Sequence, residues 1–340
     1  DDFLVPCLRP RNRLGPVPFW TGRRPGRDTS LLLTHDAAGA PVEDLPAEVS
    51  RDLELFRPRL ESRRDWNRIP YGESGRLWTE LHQLAWRPGR PRLLLLRNAR
   101  QATCLADPSG RFIASDRFHA YEFPGGWTEG ARSLLVYLNS GLFDHLLRTR
   151  ATRIHGGADG LYEFEKKFVG PIGLCLPRTR SDRERWLELA DRLVRLEGRL
   201  AAADPYEDPR GWEEAARRIS EELCSIQAAL DAVVEEAHGL SAGPRLDRRS
   251  ELESAIERIA AGAAADRLAD QAAEVLSSEG RFLTVDEILT RLSARGNRKV
   301  LAGRLSSESS SADQPLAWKR FLCRRRGRER LYGLHPSFGE

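Results

Sequence analysis

"SLLVYLNSGLFDHLLRTRATRIHGGADGLYEFEKKF" (residues 133–168) changes character twice. Leu134, Leu135, Leu138, Leu142, Phe143, Leu146 and Leu147 recur at helical spacing, which predicts a core-facing helical stretch. Asn139 and Ser140 interrupt it, and these residue types are expected to cap or pin backbone there. Gly156, Gly157 and Gly160 then break the pattern, and the chain resumes as the aromatic and basic run "LYEFEKKF". A rigid helical base, a glycine backbone that can approach a phosphate closely, and a set of cations are thereby joined. Arg148, Arg150, Arg153, Lys166 and Lys167 are the candidate phosphate partners, the plainer reading of each alone being a solvated surface charge.

Upstream, residues 1–130 are rich in Pro, Gly and Trp and read as strands and loops. Strands are expected at 30–35, 91–98, 102–107 and 119–124, with "DPSGR" (107–111) as a turn. A single amphipathic helix is expected over 45–66, with Leu53, Phe56 and Leu60 on its apolar face.

Downstream, Trp186, Leu189, Leu193, Leu196 and Leu200 step by alternating three and four residues. So do Trp212, Ala216, Ile219, Leu223, Ile226, Leu230, Val233 and Ala237. This heptad seam, broken by "DPYEDPRG" (204–211), predicts an antiparallel, coiled-coil-like helical hairpin. A third helix is expected over about 249–278. From 272 the order is helix, short strand, helix, helix, a Ser-rich loop at 306–313 and a hairpin around "RRGR", which is the order of a winged helix-turn-helix. The expected fold class is α+β in three parts. They are a β-rich domain over 1–180, a helical hairpin or spacer over 181–278, and a winged-helix-like module over 279–340.

Charged residues make up 31% and hydrophobic ones 40%, which predicts a folded chain of two or three domains. No run approaches the roughly 18 apolar residues of a membrane span, and no basic-then-apolar leader block is present, so a cytoplasmic location is expected. The chain starts at Asp1 and contains no Met, so it reads as one portion of a larger product. Cys7, Cys104, Cys175, Cys224 and Cys323 are scattered and form no C-x-x-C pair, so isolated thiols are expected rather than zinc or disulfides. The net charge of +4 is unevenly spread: +4 over 1–127, +3 over 128–180, −9 over 181–278 and +6 over 279–340. Two basic regions flank an acidic one, and nucleic acid is the commonest acidic partner of such regions.

The opening stretch, continued as "LYEFEKKFVGPIGLCLP", resembles the target-recognition region of TaqI-type adenine-N6 DNA methyltransferases of restriction–modification and phage-defence systems. Leu138, Asn139, Ser140, Leu142 and Phe143 match that family's L-N-S-x-L-F block. Gly160, Tyr162, Phe164, Lys166, Lys167 and Pro177 match its glycine turn, aromatic–basic segment and Leu-Pro exit. Looser likenesses at "LELFRPRLESRRDW", "LWTELHQ", 87–123 and "LDAVVEEAHGLS" extend it over about residues 5–241. The family's [DNS]-P-P-[YFW] tetrapeptide, which holds the flipped adenine, does not occur in this chain, nor does a glycine-rich strand-to-helix turn for S-adenosylmethionine near the N-terminus. The resemblance therefore implies the specificity part: a binder of double-stranded DNA that holds no cofactor or metal itself. A methyltransferase catalytic domain or subunit would carry S-adenosylmethionine. The expected DNA-contacting residues are Arg23, Arg24, Arg27, Arg148, Arg150, Arg153, Lys166, Lys167, Arg298, Lys299, Arg304, Arg324, Arg325 and Arg326, with no catalytic residue.

Rival readings remain open at this stage. A non-enzymatic DNA-binding adaptor could use the same surfaces to assemble with nuclease or helicase subunits. Asp159, Glu165 and Lys167 have the residue types of a metal-dependent nuclease, at short spacing. His119, His145 and His155 show no metal-ligand spacing. The acidic hairpin reads as a spacer or as a partner-binding element, and the C-terminal module as a DNA or protein binder.

Overall fold

The computed structural model describes residues 4–9, 13–18, 29–36, 38–54, 56–64, 69–70, 73, 75–81, 86–154, 161–293, 297–311, 321–326 and 329–336. The protein is α+β, as the sequence predicts, with 48% of residues helical and 18% in strands. Contacts group it into two units, residues 1–204 with 210–256, and residues 205–209 with 257–340. The sequence predicts boundaries at 180 and 278. Among the described residues, no helix is long and apolar enough to cross a membrane.

The first unit opens with β1 (Leu4–Leu8), the tight pair β2 (Arg13–Leu14) and β3 (Val17–Pro18), and β4 (Thr29–Leu32), which pairs antiparallel with β1. Two short helices follow, α1 (Ala47–Glu54) and α2 (Arg57–Glu61), where the sequence predicts one. Pro58 lies in the first turn of α2, where its missing N–H is harmless, but within one continuous helix it would break the hydrogen-bond ladder. Neither helix has a buried residue, and Leu53, Phe56 and Leu60 are only half-buried.

Next come β5 (Arg92–Leu96), β6 (Asn98–Ala99), β7 (Cys104–Asp107), β8 (Ile113–Ala114) and β9 (Phe118–Glu122). β5 is central, antiparallel to both β7 and β9, and all five of its residues are buried. Its one charge, Arg92, pairs with equally buried Asp107 at 3.1 Å. Asp107 also accepts the Arg111 and Phe112 amides at 3.0 and 3.1 Å, which closes the "DPSGR" turn. Gly110 is required there: its φ is +63°, and a Cβ would lie 2.3 Å from the Arg90 carbonyl oxygen.

α3 (Glu129–Leu138), α4 (Gly141–Arg148), β10 (Thr152–Arg153), β11 (Tyr162–Glu163) and α5 (Lys166–Val169) lead to the long helices α6 (Arg180–Ala201) and α7 (Pro209–Ala237). Thr128, Ser140 and Thr179 cap α3, α4 and α6 with their hydroxyls. The predicted seams are buried on both α6 and α7, Ala237 alone being half-buried. The two helices are antiparallel. Arg185–Glu236 at 2.9 Å and Arg199–Glu222 at 2.5 Å tie them together, and the pairs lie two heptads apart on each helix. Truncating the fully buried Trp186 or Trp212 to Ala would cost about 3–5 kcal/mol.

α8 (Arg249–Glu279) contributes Leu252, Ala255 and Ile256 to the core of the first unit. Its later residues Leu268, Ala272, Ala273 and Leu276 belong to the core of the second. That unit continues with β12 (Leu283–Thr284), α9 (Val285–Arg291), α10 (Arg298–Glu308), β13 (Ser309–Ser311), β14 (Phe321–Arg326) and β15 (Glu329–Leu334). The sheet order is β12-β15-β14-β13. A Thr284–Glu287 capping box starts α9. The Ser-rich stretch expected as a loop instead finishes α10 and forms β13, because the Ser309–Ser311 backbone pairs in parallel with Phe321–Cys323.

Candidate nucleic-acid interface

The Asn139-Ser140-Gly141 junction is a buried polar hub. The Asn139 side chain accepts the Cys104 amide at 3.1 Å and donates to the Cys104 and Leu135 carbonyls at 2.9 and 3.0 Å, docking the end of α3 onto β7. Gln227 on α7 donates to the Asn139 carbonyl at 2.9 Å, and Asp231 accepts the Gly141 amide at 2.7 Å. Arg248, 1% exposed, donates to Gln227 at 2.7 Å, Thr103 at 3.1 Å and the Ala102 carbonyl at 2.9 Å. The guanidinium is thus saturated by protein acceptors, which is what a buried cation requires. Asn139 and Ser140 are fully buried, so they hold the backbone, as their residue types predict.

This hub fixes α4, whose C-terminal end supports the small sheet β10-β11-β6. Arg153 pairs in register with Tyr162, and Tyr162 with Ala99. The Tyr162 ring stacks parallel to buried Phe164, with centroids 6.2 Å apart, and the Arg148 guanidinium lies 5.1 Å over Tyr162. Phe164 donates its amide to the Arg97 carbonyl at 2.7 Å, and His119 donates its Nε2–H to the Phe164 carbonyl at 2.7 Å.

The charges of this surface divide cleanly. Arg148 is held by Asp144 at 3.3 Å, Arg97 by Glu163 at 3.0 Å and Lys167 by Glu165 at 2.9 Å. Burial pushes the Asp144 carboxyl above its usual range, while the Ala102 amide, Arg148 and Arg248 oppose that shift. Arg150, Arg153 and Lys166 are exposed and have no carboxylate partner among the described residues. Arg100, just after β6, is exposed and unpaired in the same sense, and the sequence reading passed over it. Arg23, Arg24 and Arg27 lie outside the described residues.

In the second unit, Arg298 pairs with Asp286 at 2.8 Å, and Arg304 pairs with Asp266 and with Glu308 at 2.8 Å. Lys299, Arg324 and Arg325 are exposed without an ion pair among the described residues, and Arg324 covers the Phe282 ring at 4.6 Å. Arg326 ends β14, and its side chain lies outside the described set.

Asp231, Gln227, Arg248, Asp144 and Arg97 carry the architecture of the first surface together with His119, and the sequence marks none of those five. Asp231 and Arg248 act 90 and 109 residues away from their partners Gly141 and Asn139, so no local pattern marks them. Among the described residues, no group of three His, Cys, Asp or Glu side chains is placed to hold a metal. Asp159 and His155 lie outside the described residues, Glu165 is occupied by Lys167, and His145 is exposed. No family model matches the chain, and comparison with curated proteins finds no match.

Proposed function

We propose that this chain is the DNA target-recognition part of an adenine-N6 DNA methyltransferase of a restriction–modification or phage-defence system. The observation that carries the reading is a surplus of cations on and next to β10 and β11 in the chain. Arg150, Arg153 and Lys166 have no carboxylate partner among the described residues, on a sheet and helix end that the buried Asn139 hub holds in place. Unpartnered cations on an ordered surface suit a phosphate backbone. In the second unit, the order α8, β12, α9, α10, β14, β15, with β12 against β15, supports a winged-helix reading. The two-heptad spacing of the α6–α7 ion pairs supports the coiled-coil-like reading of that helix pair.

On this reading the chain positions duplex DNA, and methylation belongs to a domain or subunit bearing the [DNS]-P-P-[YFW] tetrapeptide. Near its N-terminus the sequence offers no glycine-rich strand-to-helix turn for S-adenosylmethionine, and on this reading the cofactor is assigned to that partner. The test is selection of bound duplexes from a random pool by the full chain. Recovery of a shared sequence supports the reading, and loss of that preference in the Arg150→Ala, Arg153→Ala double variant places it on this surface. A pool with no enrichment would sink it.

A protein-docking adaptor is favoured by one observation. Leu174 and Leu176, 46% and 44% exposed, flank Cys175, whose thiol donates to the Ala237 carbonyl at the end of α7 at 3.0 Å. An exposed apolar pair held in place suits a protein partner.

A further inference from the structure

We infer that the second unit meets duplex DNA with the β14–β15 hairpin rather than with helix α10. The inference rests on the DNA-recognition reading above and says which element of this unit does the binding.

Sequence order alone makes α10 the groove-entering element, with Arg298, Lys299 and Arg304 as its cations. Two of these three are already committed: Arg298 to Asp286, and Arg304 to Asp266 and Glu308. Bringing either to a phosphate would first require breaking an ion pair within the unit. Lys299 is the one cation of the three without a carboxylate partner among the described residues.

The hairpin has the opposite character. In its register Arg325 faces Arg330 directly across the two strands. Like charges in that position destabilise a strand pair, and a neighbouring anion removes the penalty. Arg330 donates to the Ser306 hydroxyl at 3.1 Å, which fixes its direction without neutralising it. Arg324, one residue along, projects from the other face and lies over Phe282. The ribbon therefore carries unneutralised cations on both faces. A flat acidic surface would engage only one of them. A duplex groove has a line of phosphates on each wall, and the major groove, about 12 Å wide, admits a two-stranded ribbon.

The test uses the full chain and a random-sequence 30-base-pair duplex, with binding measured over a series of salt concentrations. The Arg324→Ala, Arg325→Ala double variant should lower the slope of log K against log salt by about 1.8, at about 0.9 per lost phosphate contact. The Arg298→Ala, Lys299→Ala variant should lower it by no more than about 0.9. The reverse ranking, or equal effects, overturns the proposal. Arg325→Glu separates binding from folding: it replaces a repulsive cross-strand pair with an attractive one, so thermal stability should hold or rise while DNA affinity falls. A fall in both would mean that Arg325 is structural. Poly-glutamate that competes as well as DNA at equal charge would assign the hairpin to an acidic protein instead. The Arg150→Ala, Arg153→Ala variant is the internal control. If it loses DNA while the hairpin variants do not, this inference fails and the proposed function stands. If no form of the chain binds DNA, the proposed function fails with it.

Discussion

The Asp231 carboxylate on α7 accepts the amide proton of Gly141, the first residue of α4, at 2.7 Å. Its other oxygen takes the Leu246 amide at 3.0 Å, and the Gln227 side chain adds a third donor at 2.9 Å. One side chain thus sets where α4 begins and where the 240–248 segment passes over it. Gly141 has no room for more, since a Cβ would lie 2.1 Å from the Pro244 carbonyl oxygen. In an open helix Gly→Ala stabilises by up to about 1 kcal/mol. Here Gly141→Ala should instead destabilise by about 1–3 kcal/mol through overpacking. Asp231→Ala, which strands three buried donors, should cost on the order of 3 kcal/mol. Urea denaturation of both variants checks the sign and the ranking. A stabilised Gly141→Ala would mean that the close approach is absent.

The two neighbouring lysines should not behave alike. Lys166 is exposed and without a carboxylate partner among the described residues, whereas Lys167 is paired with Glu165 and sits 4.9 Å over the Phe168 ring. Lys166→Ala should lower the salt slope of DNA binding by about 0.9, and Lys167→Ala by clearly less. Equal effects in the two single variants would show that the Glu165 pair does not hold Lys167 back from DNA.

Acidification should weaken the fold between the ordinary histidine value and somewhat lower pH. Burial pushes His35, His119 and His238 below their usual pKa, against Glu80 and Asp36 at His35, and against the Phe164 carbonyl at His119. The unfolded chain takes up these protons at about pH 6.5, before the folded one does. Stability is therefore fully present above that value and declines as pH falls towards the lowered folded values. His119→Gln keeps a donor for the Phe164 carbonyl and removes one titration. Its melting temperature should change less than that of the parent between pH 7.5 and 5.5, and an identical pH dependence would count against the neutral state of half-buried His119.

Where the chain is cut should decide whether the remainder stays dispersed. A chain ending at Ser278 keeps Leu268, Ala272, Ala273 and Leu276 of α8 but loses Leu283, Ile288, Leu301, Phe321 and Tyr332, against which they pack. A chain ending at Ile256 retains the part of α8 that belongs to the first unit. The shorter product should be monodisperse by light scattering, and the longer one should bind hydrophobic dye and self-associate. The opposite ranking would show that α8 does not divide between the cores in this way.

Periodic features were the legible ones. The α6 and α7 seams recur every seven residues, so Trp186, Leu193, Ile219 and Leu230 declare their burial without reference to anything outside the helix. The β14–β15 hairpin and the "DPSGR" turn are equally local. The 45–66 segment misled because Leu53, Phe56 and Leu60 keep helical spacing through Pro58, and the proline governs the backbone. At the candidate site, the sequence supplied the cations but not their occupancy. Arg148–Asp144 is an i,i+4 pair that spacing alone would suggest, whereas Arg298–Asp286 and Arg304–Asp266 join positions 12 and 38 residues apart. The Asn139 hub draws on residues 102 to 248, beyond the reach of any window of sequence.

That reach sets a timetable for synthesis. Arg248 bonds Ala102 and Thr103, which leave the ribosome about 145 residues earlier. At about 5–20 residues per second the earlier partners wait roughly 7–30 s for it. Until then the Ala102 carbonyl lacks its final partner, and the Asn139 carbonyl and the Gly141 amide wait in the same way for Gln227 and Asp231, 88 and 90 residues further on. The nascent first unit therefore stays incompletely closed until residue 248 emerges.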